Sequence, residues 1–227
     1  MSLDVDQITT ITVDSYGTLV DPSAVEAALA EHVEETTAIS NHWRSRSLMY
    51  TMVSNYIDAY QPFYDLNRHA LEHALHAYGV DLDTETIEDV LSTYHELAVF
   101  EDVKSGLERI TDGGYEVYVV SNGNPDMLDS MVEHAAITDV IADTISADEI
   151  ATFKPDPEIY RHAAARSGTP IAAIAHVAGP SFDVQGAMNA GMQGVWLTRD
   201  DEHWDGFAPE PNLVAESFHD VAEALGV

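Results

Sequence analysis

Apolar, β-branched runs alternate with segments of helical periodicity over most of the chain, and this alternation constrains the fold most strongly. Strands are predicted at 8–13, 115–120, about 139–146, 174–178 and 194–197, with a last strand and helix near 212–225. Helices are predicted between them at 102–112, about 125–135, 157–167 and 182–191. Such an order indicates a parallel sheet with helices on both faces. The sequence therefore predicts an α/β fold.

A long stretch after the first strand has helical spacing only. Helices are predicted there at 23–35, 39–58, 63–79 and 84–97. Four successive helices with no strand between them predict a helical subdomain inserted into the α/β core. We therefore predict a core domain at 1–20 and 98–227 and an inserted helical subdomain at 21–97.

The composition limits the cellular location and the kinds of site that we expect. Of the 227 residues, 45% are apolar, which is enough to bury a substantial core. No apolar run approaches the roughly 20 residues that span a bilayer. The acidic start, MSLDVDQITT, lacks the basic and apolar stretches of a secretory signal. We therefore expect a cytoplasmic protein with no membrane partner, and the absence of cysteine excludes cysteine nucleophiles and thiolate metal sites.

The charge of this acidic protein is extreme, because 9 Lys and Arg residues face 40 Asp and Glu residues, for a formal net charge of −31. Such a surface repels nucleic-acid phosphates and anionic lipids, so neither is an expected partner. Self-repulsion destabilises the folded chain at low salt, and screening relieves it. We expect a halophilic protein from a high-salt cytoplasm, the alternative being an ordinary acidic protein. With only two lysines, Lys104 and Lys154, each cation is a candidate for a specific task.

Polar side chains follow several of the predicted strands. Those at or just beyond strand ends are Asp14, Thr18, Ser121, Asn122, Lys154 and Asp183. Ligands of parallel sheets bind beyond the carboxyl ends of the strands, so we expect these side chains to meet in one crevice.

Together these groups suit covalent catalysis by a carboxylate. Asp14 can attack as a nucleophile and form an ester that water later opens. Lys154 would lower the pKa of Asp14 and keep it ionised, and Thr18 and Ser121 would donate hydrogen bonds that orient it. Asp183 would hold the lysine or activate water.

Each residue alone has a purely structural interpretation. Asp14 can cap the following helix, Asp183 can interact with a helix dipole, and Lys154 can be a loop cation. The S-N-G sequence at 121–123 is ordinary turn chemistry. The ordered set at the strand ends favours the functional interpretation.

The chain resembles the haloacid dehalogenase superfamily. D-S-Y-G-T-L from Asp14 resembles its first motif, D-x-x-G-T-L; V-S-N-G-N from Val120 resembles the second and F-K-P-D-P from Phe153 the third. The segment that contains Asp183 resembles the fourth, so the match extends along nearly the whole chain. The resemblance implies a Rossmann-like core with a helical cap inserted after the first motif.

Tyr16 separates two classes within this superfamily. Phosphatases usually carry a second aspartate there as a general acid, and they bind magnesium. The forms D-x-Y-G-T-L and S-N-G-N are instead similar to the L-2-haloacid dehalogenase (type II) family, which needs neither acid nor metal. The resemblance thus implies no cofactor, with magnesium expected only if the chain is a phosphatase.

The cap sequence I-S-N-H-W-R-S-R-S-L-M-Y from Ile39 is similar to the dehalogenase segment I-S-x-x-W-R-x-x-x-L-x-Y. The match makes Arg44 the substrate-binding arginine, suited to hold a carboxylate or a departing halide. Arg46 is a nearby competitor, and a surface salt bridge is the alternative for Arg44. The resemblance also gives Asn122 a part in the halide site.

Further matches concern the pocket and the lysine. The positions that would surround the carbon chain of the substrate are Tyr16, Leu48, Phe63 and Phe182. Plain core packing is the alternative for these aromatic residues. Tyr160 matches a family tyrosine after the lysine loop and is expected to help position the reacting groups.

The fourth motif departs from the family pattern S-S-N-x-W-D. Ala178 and Pro180 replace the serine and the asparagine that help hold the nucleophile and its attacking water. Neither side chain can form a hydrogen bond, although the Ser181 hydroxyl is placed to compensate. We expect slower, narrower or redirected activity.

Histidines offer a last candidate site. His69, His73 and His76 have helical spacing in the cap, which could make a metal site, but a solvated helix face is the favoured interpretation. No H-E-x-x-H motif occurs.

The sequence thus predicts hydrolysis of short 2-haloalkanoic acids to 2-hydroxy acids through an ester on Asp14. The alternatives are a magnesium-dependent phosphatase and a weakly active binding or regulatory protein. Related dehalogenases are commonly dimers, so the resemblance implies a homodimer, although no stretch of the sequence identifies its interface.

Overall fold

A computed structural model describes residues 2–199 and 203–227. Its centre is a six-stranded sheet in the order β5-β4-β1-β6-β7-β8, with every neighbouring pair parallel. The strands are β1 (Thr10–Val13), β4 (Glu116–Ser121), β5 (Asp143–Ser146), β6 (Ile174–Ala178), β7 (Gln193–Leu197) and β8 (Leu213–Ala215). The predicted α/β fold with a parallel sheet is confirmed.

Strand β1 lies at the middle of the sheet between β4 and β6, and all its residues are buried. Val13 at its end aligns with Val119 on one side and with Val177 on the other. Because the strand is covered on both faces, its threonines, Thr10 and Thr12, are buried along with Ile11 and Val13. The residue that follows β1 is therefore placed at the centre of the carboxyl edge.

Helices connect these strands and cover the sheet. They are α5 (Val103–Asp112), α6 (Pro125–His134), α7 (Pro157–Ser167), α8 (Ser181–Ala190) and α9 (Phe218–Ala224). Each lies within about two residues of its predicted bounds, because capping residues and proline mark the starts. Among the described residues, no helix is long and apolar enough to cross a membrane.

The predicted helical insert is present between the first strand and α5. It contains α1 (Val25–Leu29), α2 (Thr36–Ile57), α3 (Phe63–Ala77) and α4 (Thr84–Ser92). The buried Trp43 indole on α2 donates a hydrogen bond to the Asn67 carbonyl on α3 at 2.9 Å. The helix predicted at 23–35 is shorter than expected, because 30–35 is mostly polar and exposed and forms turns.

Two short strands join the insert to the core. Strand β2 (Val20–Asp21) pairs antiparallel with β3 (Ala98–Val99). This two-stranded ribbon was not predicted from the sequence, because strands of two residues show no measurable periodicity. We propose that the boundary between core and cap lies here, next to the predicted divisions at 20/21 and 97/98.

Candidate active site

Asp14 is the first residue after β1. Its amide donates to the Val177 carbonyl of β6 at 3.0 Å, which extends the sheet by one step. The chain then reverses at Gly17, whose φ of +84° is a conformation that favours glycine. The turn brings back Thr18, whose hydroxyl donates to Asp14 Oδ2 at 2.7 Å, as the sequence predicted. The Gly179 amide donates in turn to that hydroxyl at 2.9 Å.

Lys154 is buried beside the carboxylate. Its Nζ lies 2.8 Å from Asp14 Oδ1 and 2.7 Å from Asp183 Oδ2. Its own amide donates to Asn122 Oδ1 at 2.8 Å, which fixes the backbone beneath the side chain. The alternative of a simple loop cation is therefore wrong, because a buried ammonium between two carboxylates is a built ion-pair site.

Asp183 is fully enclosed. Its Oδ1 accepts a hydrogen bond from the Tyr160 hydroxyl at 2.6 Å, and His176 Nε2 lies 3.0 Å from the same oxygen. The His176 Nδ1 lies 2.9 Å from the Thr12 hydroxyl. The Asp183 side chain is 1% exposed and is absent from the cavity wall. Asp183 was expected either to hold Lys154 or to activate water. Its enclosure favours the first of these roles.

Burial and charge act in opposite directions on these groups. Burial is the strongest influence on Asp14 and raises its pKa, while Lys154 and the Thr18 hydrogen bond oppose that rise. Lys154 thus lowers the pKa of Asp14 as predicted, but burial outweighs it and the net shift is upward. Burial also acts to raise the pKa of Asp183, but Lys154 and His176 outweigh it and hold that pKa well below the usual range. Burial would lower the pKa of Lys154, yet the two carboxylates keep it raised.

A cavity of about 760 Å³ opens beside Asp14, between core and cap. Its volume falls within the roughly 300–1,000 Å³ of small-molecule sites. The predicted site residues on its wall are Asp14, Tyr16, Arg44, Leu48, Phe63, Asn122, Lys154 and Phe182. The structure thus brings eight of the twelve predicted residues to one cavity, and Thr18, Tyr160 and Asp183 support it from behind.

Arg44 reaches the cavity from α2. Its Nη2 donates to Asn41 Oδ1 at 2.8 Å, and its buried Nε has no hydrogen-bond partner in the described part of the chain. No described carboxylate pairs with it, so the surface salt bridge considered for this residue is not present. Arg46 is not on the cavity wall and instead lies 5.9 Å from the Tyr50 ring centre. A permanent charge without a counter-ion in a cavity is suited to an anionic ligand.

Aromatic rings form the apolar side of the cavity. Tyr16 stacks on Phe63 with ring centres 5.9 Å apart, and it meets Tyr94 edge to face at 5.5 Å. Burial raises the pKa of Tyr16, so its phenol stays protonated. The Tyr16 hydroxyl has no hydrogen-bond partner among the described residues. Tyr94, which the sequence analysis missed, has its pKa raised to about 12 by burial.

Two predicted hydrogen bonds are wrong. The Ser121 hydroxyl lies 2.6 Å from the Ser15 hydroxyl and accepts from the Gly123 amide, so it holds two turns together and does not bond Asp14. Ser15 follows Asp14 directly and occupies the space between them. The Ser181 hydroxyl donates to Asp205 at 2.7 Å, so its proton is engaged there and not at Asp14. It therefore does not compensate for the missing polar side chains of the fourth motif.

The fourth-motif loop packs tightly against the first. Ala178 ends β6 fully buried, and Pro180 lies on the cavity wall. A Cβ on Gly179 would lie 2.1 Å from the Gly17 carbonyl oxygen, so the backbones of the two loops approach each other closely. This close approach leaves no side chain at 178–180 able to hold a water molecule.

Two residues near the site, Arg199 and His176, were not predicted from the sequence. Arg199 donates to the Thr18 carbonyl at 2.8 Å and pairs with Asp102 at 2.7 Å. Because the chain has only 9 Lys and Arg residues, the presence of Arg199 alone indicated a specific role. His176 was visible as the one polar interruption near the end of an apolar strand.

The described residues contain no group of three or more His, Cys, Asp or Glu side chains placed to hold a metal. The His69 imidazole lies 3.5 Å from its helix neighbour Glu72, and both are about half exposed. These observations support the solvated helix face that was favoured for the cap histidines.

A parallel sheet, an inserted helical cap and a carboxylate–lysine–carboxylate site at the strand ends define a capped, Rossmann-like hydrolase. The chain belongs to the haloacid dehalogenase-like hydrolase family, whose model matches residues 8–191. It is 32% identical to (S)-2-haloacid dehalogenase 4A of Burkholderia cepacia over 197 residues, 86% of this chain and 85% of that protein. It is 30% identical to (S)-2-haloacid dehalogenase 1 of Pseudomonas sp. (strain CBS-3), over 90% and 91% of the two chains.

Solved structures show the same likeness. The L-2-haloacid dehalogenase from Xanthobacter autotrophicus with chloropropionic acid covalently bound superposes with a TM-score of 0.91 and 25% identity. The match covers 96% of this chain and 98% of that one. The capped arrangement therefore extends over both chains nearly in full.

Proposed function

We propose that this protein hydrolyses the carbon–halogen bond of short 2-haloalkanoic acids, giving 2-hydroxy acids and halide through an ester on Asp14. The curated relatives described above are (S)-2-haloacid dehalogenases, which supports this reaction class. The single observation that carries the proposal is one cavity that holds both Asp14 and Arg44, an arginine that no described carboxylate neutralises.

In the first step an Asp14 oxygen attacks C2 of the substrate. A C–O ester bond forms as the C2–halogen bond breaks, and the halogen leaves with the bonding pair as halide. No proton is needed, which fits Tyr16 at the place where a general acid would stand. Arg44 and the Asn122 side chain, both on the cavity wall, are the groups assigned to the departing anion.

In the second step water attacks the carboxyl carbon of Asp14. Lys154 Nζ and the Thr18 hydroxyl, each within 2.8 Å of a carboxylate oxygen, stabilise the negative charge of the tetrahedral intermediate. The ester bond at the carboxyl carbon breaks as Lys154 gives a proton to the departing hydroxyl oxygen, and Lys154 regains a proton from the attacking water. The second proton of that water is released to solvent as Asp14 ionises again. Asp183 and Tyr160 keep Lys154 in place. The substrate's C2 is attacked only once, so its configuration inverts.

The phosphatase alternative fits the residues less well. Tyr16 stands at the position where phosphatases of this superfamily usually carry the aspartate that acts as general acid. Lys154 Nζ already contacts one oxygen of Asp14 and one oxygen of Asp183. A weakly active binding or regulatory protein is the remaining alternative. The observation that favours it is the absence of hydrogen-bonding side chains at Ala178 and Pro180.

One assay separates these three functions. Purified protein in high salt is incubated with L-2-chloropropionate and, separately, with an aryl phosphate, each with and without EDTA. Chloride release that resists EDTA and disappears in Asp14→Asn supports the dehalogenase. Phosphate release that requires magnesium, without chloride release, contradicts it, and the regulatory alternative predicts turnover of neither substrate.

We also propose that the protein is a cytoplasmic homodimer adapted to high salt, and that α2 supplies the interface. This helix contains neither Asp nor Glu, although the chain has 40 of them. Its exposed apolar side chains are Met49, Met52, Val53, Tyr56 and Ile57. Two strongly negative molecules approach with least repulsion at a face without acidic side chains, so a second copy is the partner this surface fits best.

A further inference from the structure

Helix α2 extends from the cavity wall to the loop that carries Lys154. Arg44, Leu48, Thr51 and Asn55 are spaced by four, three and four residues, so they share one face of the helix. The first three line the cavity. Asn55, one turn further on, reaches past the cavity to the core.

Asn55 binds the backbone of Phe153 at two points. Its Nδ2 donates to the Phe153 carbonyl at 2.7 Å, and its Oδ1 accepts from the Phe153 amide at 3.0 Å. The next amide, that of Lys154, is held by Asn122 at 2.8 Å. One asparagine from the cap and one from the core therefore fix consecutive residues of this loop.

The position of the Lys154 ammonium depends on this anchoring. A lysine side chain is a flexible four-carbon stem, so its charge is placed only as well as its backbone is. Here Nζ must reach Asp14 and Asp183 together, at 2.8 and 2.7 Å. A backbone shift of a fraction of an ångström would lengthen at least one of these contacts.

We propose that Asn55 is a positioning residue for the reaction, acting through Phe153 to set Lys154 against Asp14 from the cap side. The same helix carries Arg44, so the two hydrogen bonds of Asn55 also fix the distance between Arg44 and Lys154. The expected effect on turnover rests on the proposed function. The expected effect on the pairing of Lys154 with Asp14 does not rest on that function, and this pairing can be measured without turnover.

Other cap-to-core hydrogen bonds provide a matched control. The Tyr60 hydroxyl donates to Asp148 at 2.6 Å, and its ring stacks on Phe153 with centres 5.0 Å apart. Tyr60→Phe removes a cap-to-core hydrogen bond and keeps the stacked ring, without disturbing the Phe153 backbone. A residue that only fastened the cap to the core would behave like Tyr60.

The first test compares the turnover of Asn55→Ala, Asn55→Asp and Tyr60→Phe. Asn55→Asp preserves the volume and the acceptor but replaces the donor to the Phe153 carbonyl by an oxygen. We expect kcat for chloride release from L-2-chloropropionate to fall at least tenfold in both Asn55 variants and to stay within twofold in Tyr60→Phe. Wild-type kcat in a folded Asn55→Ala or Asn55→Asp protein would overturn the proposal.

The second test measures the pairing itself. Carbon-13 NMR of the aspartate carboxyls follows the titration of Asp14, which Lys154, Asp183, Thr18 and Tyr16 face. Because Lys154 acts to lower the pKa of Asp14, loosening the lysine raises that pKa. We expect Asp14 to titrate at higher pH in Asn55→Ala than in wild type and Tyr60→Phe.

An Asp14 titration that is identical in all three proteins would overturn the proposal even if turnover differed. If the wild-type protein releases no halide, the proposed function fails while this titration still decides the role of Asn55. Asn55→Ser is the second variant to use if Asn55→Ala does not fold, and circular dichroism establishes folding in each case.

Discussion

At the scale of single residues, Asp14 is the proposed nucleophile, and its neighbours determine its pKa and its orientation. One oxygen contacts Lys154 and the other contacts Thr18, so the carboxylate is held at both ends. Asp14 and Asp183 share one ammonium, which leaves the cluster with a net negative charge inside the protein. Formation of the ester would neutralise Asp14 and so remove this excess negative charge.

The raised pKa of Asp14 predicts an acid limb in the pH profile. Burial raises this pKa above the ordinary aspartate value of about 3.9, and attack requires the ionised form. We therefore expect kcat/KM for halide release to fall as the pH is lowered through that raised pKa. The measurement is kcat/KM from pH 4 to pH 9 at constant ionic strength. A profile that stays flat down to the ordinary aspartate range would contradict the pKa shift.

The sequence predicted that Asp14, Lys154 and Asp183 lie together, but it did not predict all of the residues that support them. Asp14, Lys154 and Asp183 were predictable because strand ends of a parallel sheet converge. Asn55 was not, since it acts on a backbone 98 residues away and no pattern marks such a contact. The direct bond expected from Ser121 failed because side-chain direction after a strand end depends on the turn, which the sequence does not specify.

At the scale of elements, the loops after β1 and β6 form one packed unit beneath the cavity. The Gly179 amide donates to Thr18, and its carbonyl accepts from the Trp196 indole at 2.9 Å. The sequence predicted both strands, but it gave no sign that their loops touch. Contacts of this kind follow from register and twist, which local sequence patterns do not encode.

Substituting Gly179 tests this unit. In Gly179→Ala the new methyl group would lie 2.1 Å from the Gly17 carbonyl oxygen, so the turn after Asp14 must move. We expect a loss of about 1–3 kcal/mol in the free energy of unfolding together with a large fall in kcat. Gly206→Ala, where the methyl group meets nothing within 4 Å, is the control. Equal stability and turnover in the two variants would show that the loops are not in close contact.

Helix α2 has two faces with different proposed roles, one at the site and one at the dimer interface. One carries Arg44 and Asn55, and the other exposes an apolar surface that includes Tyr56, which is 92% exposed, and Ile57, which is 61% exposed. The sequence predicted the helix with nearly correct bounds. It did not separate the exposed apolar residues from core residues, because both have helical spacing.

Acidic substitutions on the exposed face test the proposed dimer. In the double variant Tyr56→Glu and Ile57→Glu, two like-charged faces would meet, so we expect a monomer in sedimentation velocity where the wild type is a dimer. Val214→Glu places the same change on an exposed position of β8 and should leave the dimer intact. A wild-type protein that sediments as a monomer, or a double variant that remains a dimer, would contradict this interface.

At the scale of the whole molecule, the most unusual property is the net charge. A formal net charge of −31 on 227 residues produces repulsion that acts over the Debye length. That length falls from about 10 Å at 0.1 M salt to about 3 Å at 1 M. The fold is similar to that of the L-2-haloacid dehalogenase from Xanthobacter autotrophicus, so the excess of acids leaves the architecture unchanged.

This charge predicts stabilisation by salt. We expect the Tm to rise steeply between 0.1 and 1 M KCl, because screening removes repulsion that is present mainly in the compact state. Sucrose at matched osmolality, which does not screen charge, is the control. If KCl raised the Tm no more than sucrose, the proposed adaptation to high salt would be wrong, and the chain would be an ordinary acidic protein.

The ester on Asp14 is the central claim, and isotope labelling in a single turnover tests it most directly. Enzyme in excess over L-2-chloropropionate reacts in oxygen-18 water, and mass spectrometry then locates the label. Attack of water on the Asp14 carboxyl carbon predicts label in the peptide that contains Asp14 and unlabelled 2-hydroxypropionate. Labelled product with an unlabelled Asp14 would mean that water attacks C2 directly, which would contradict the ester mechanism.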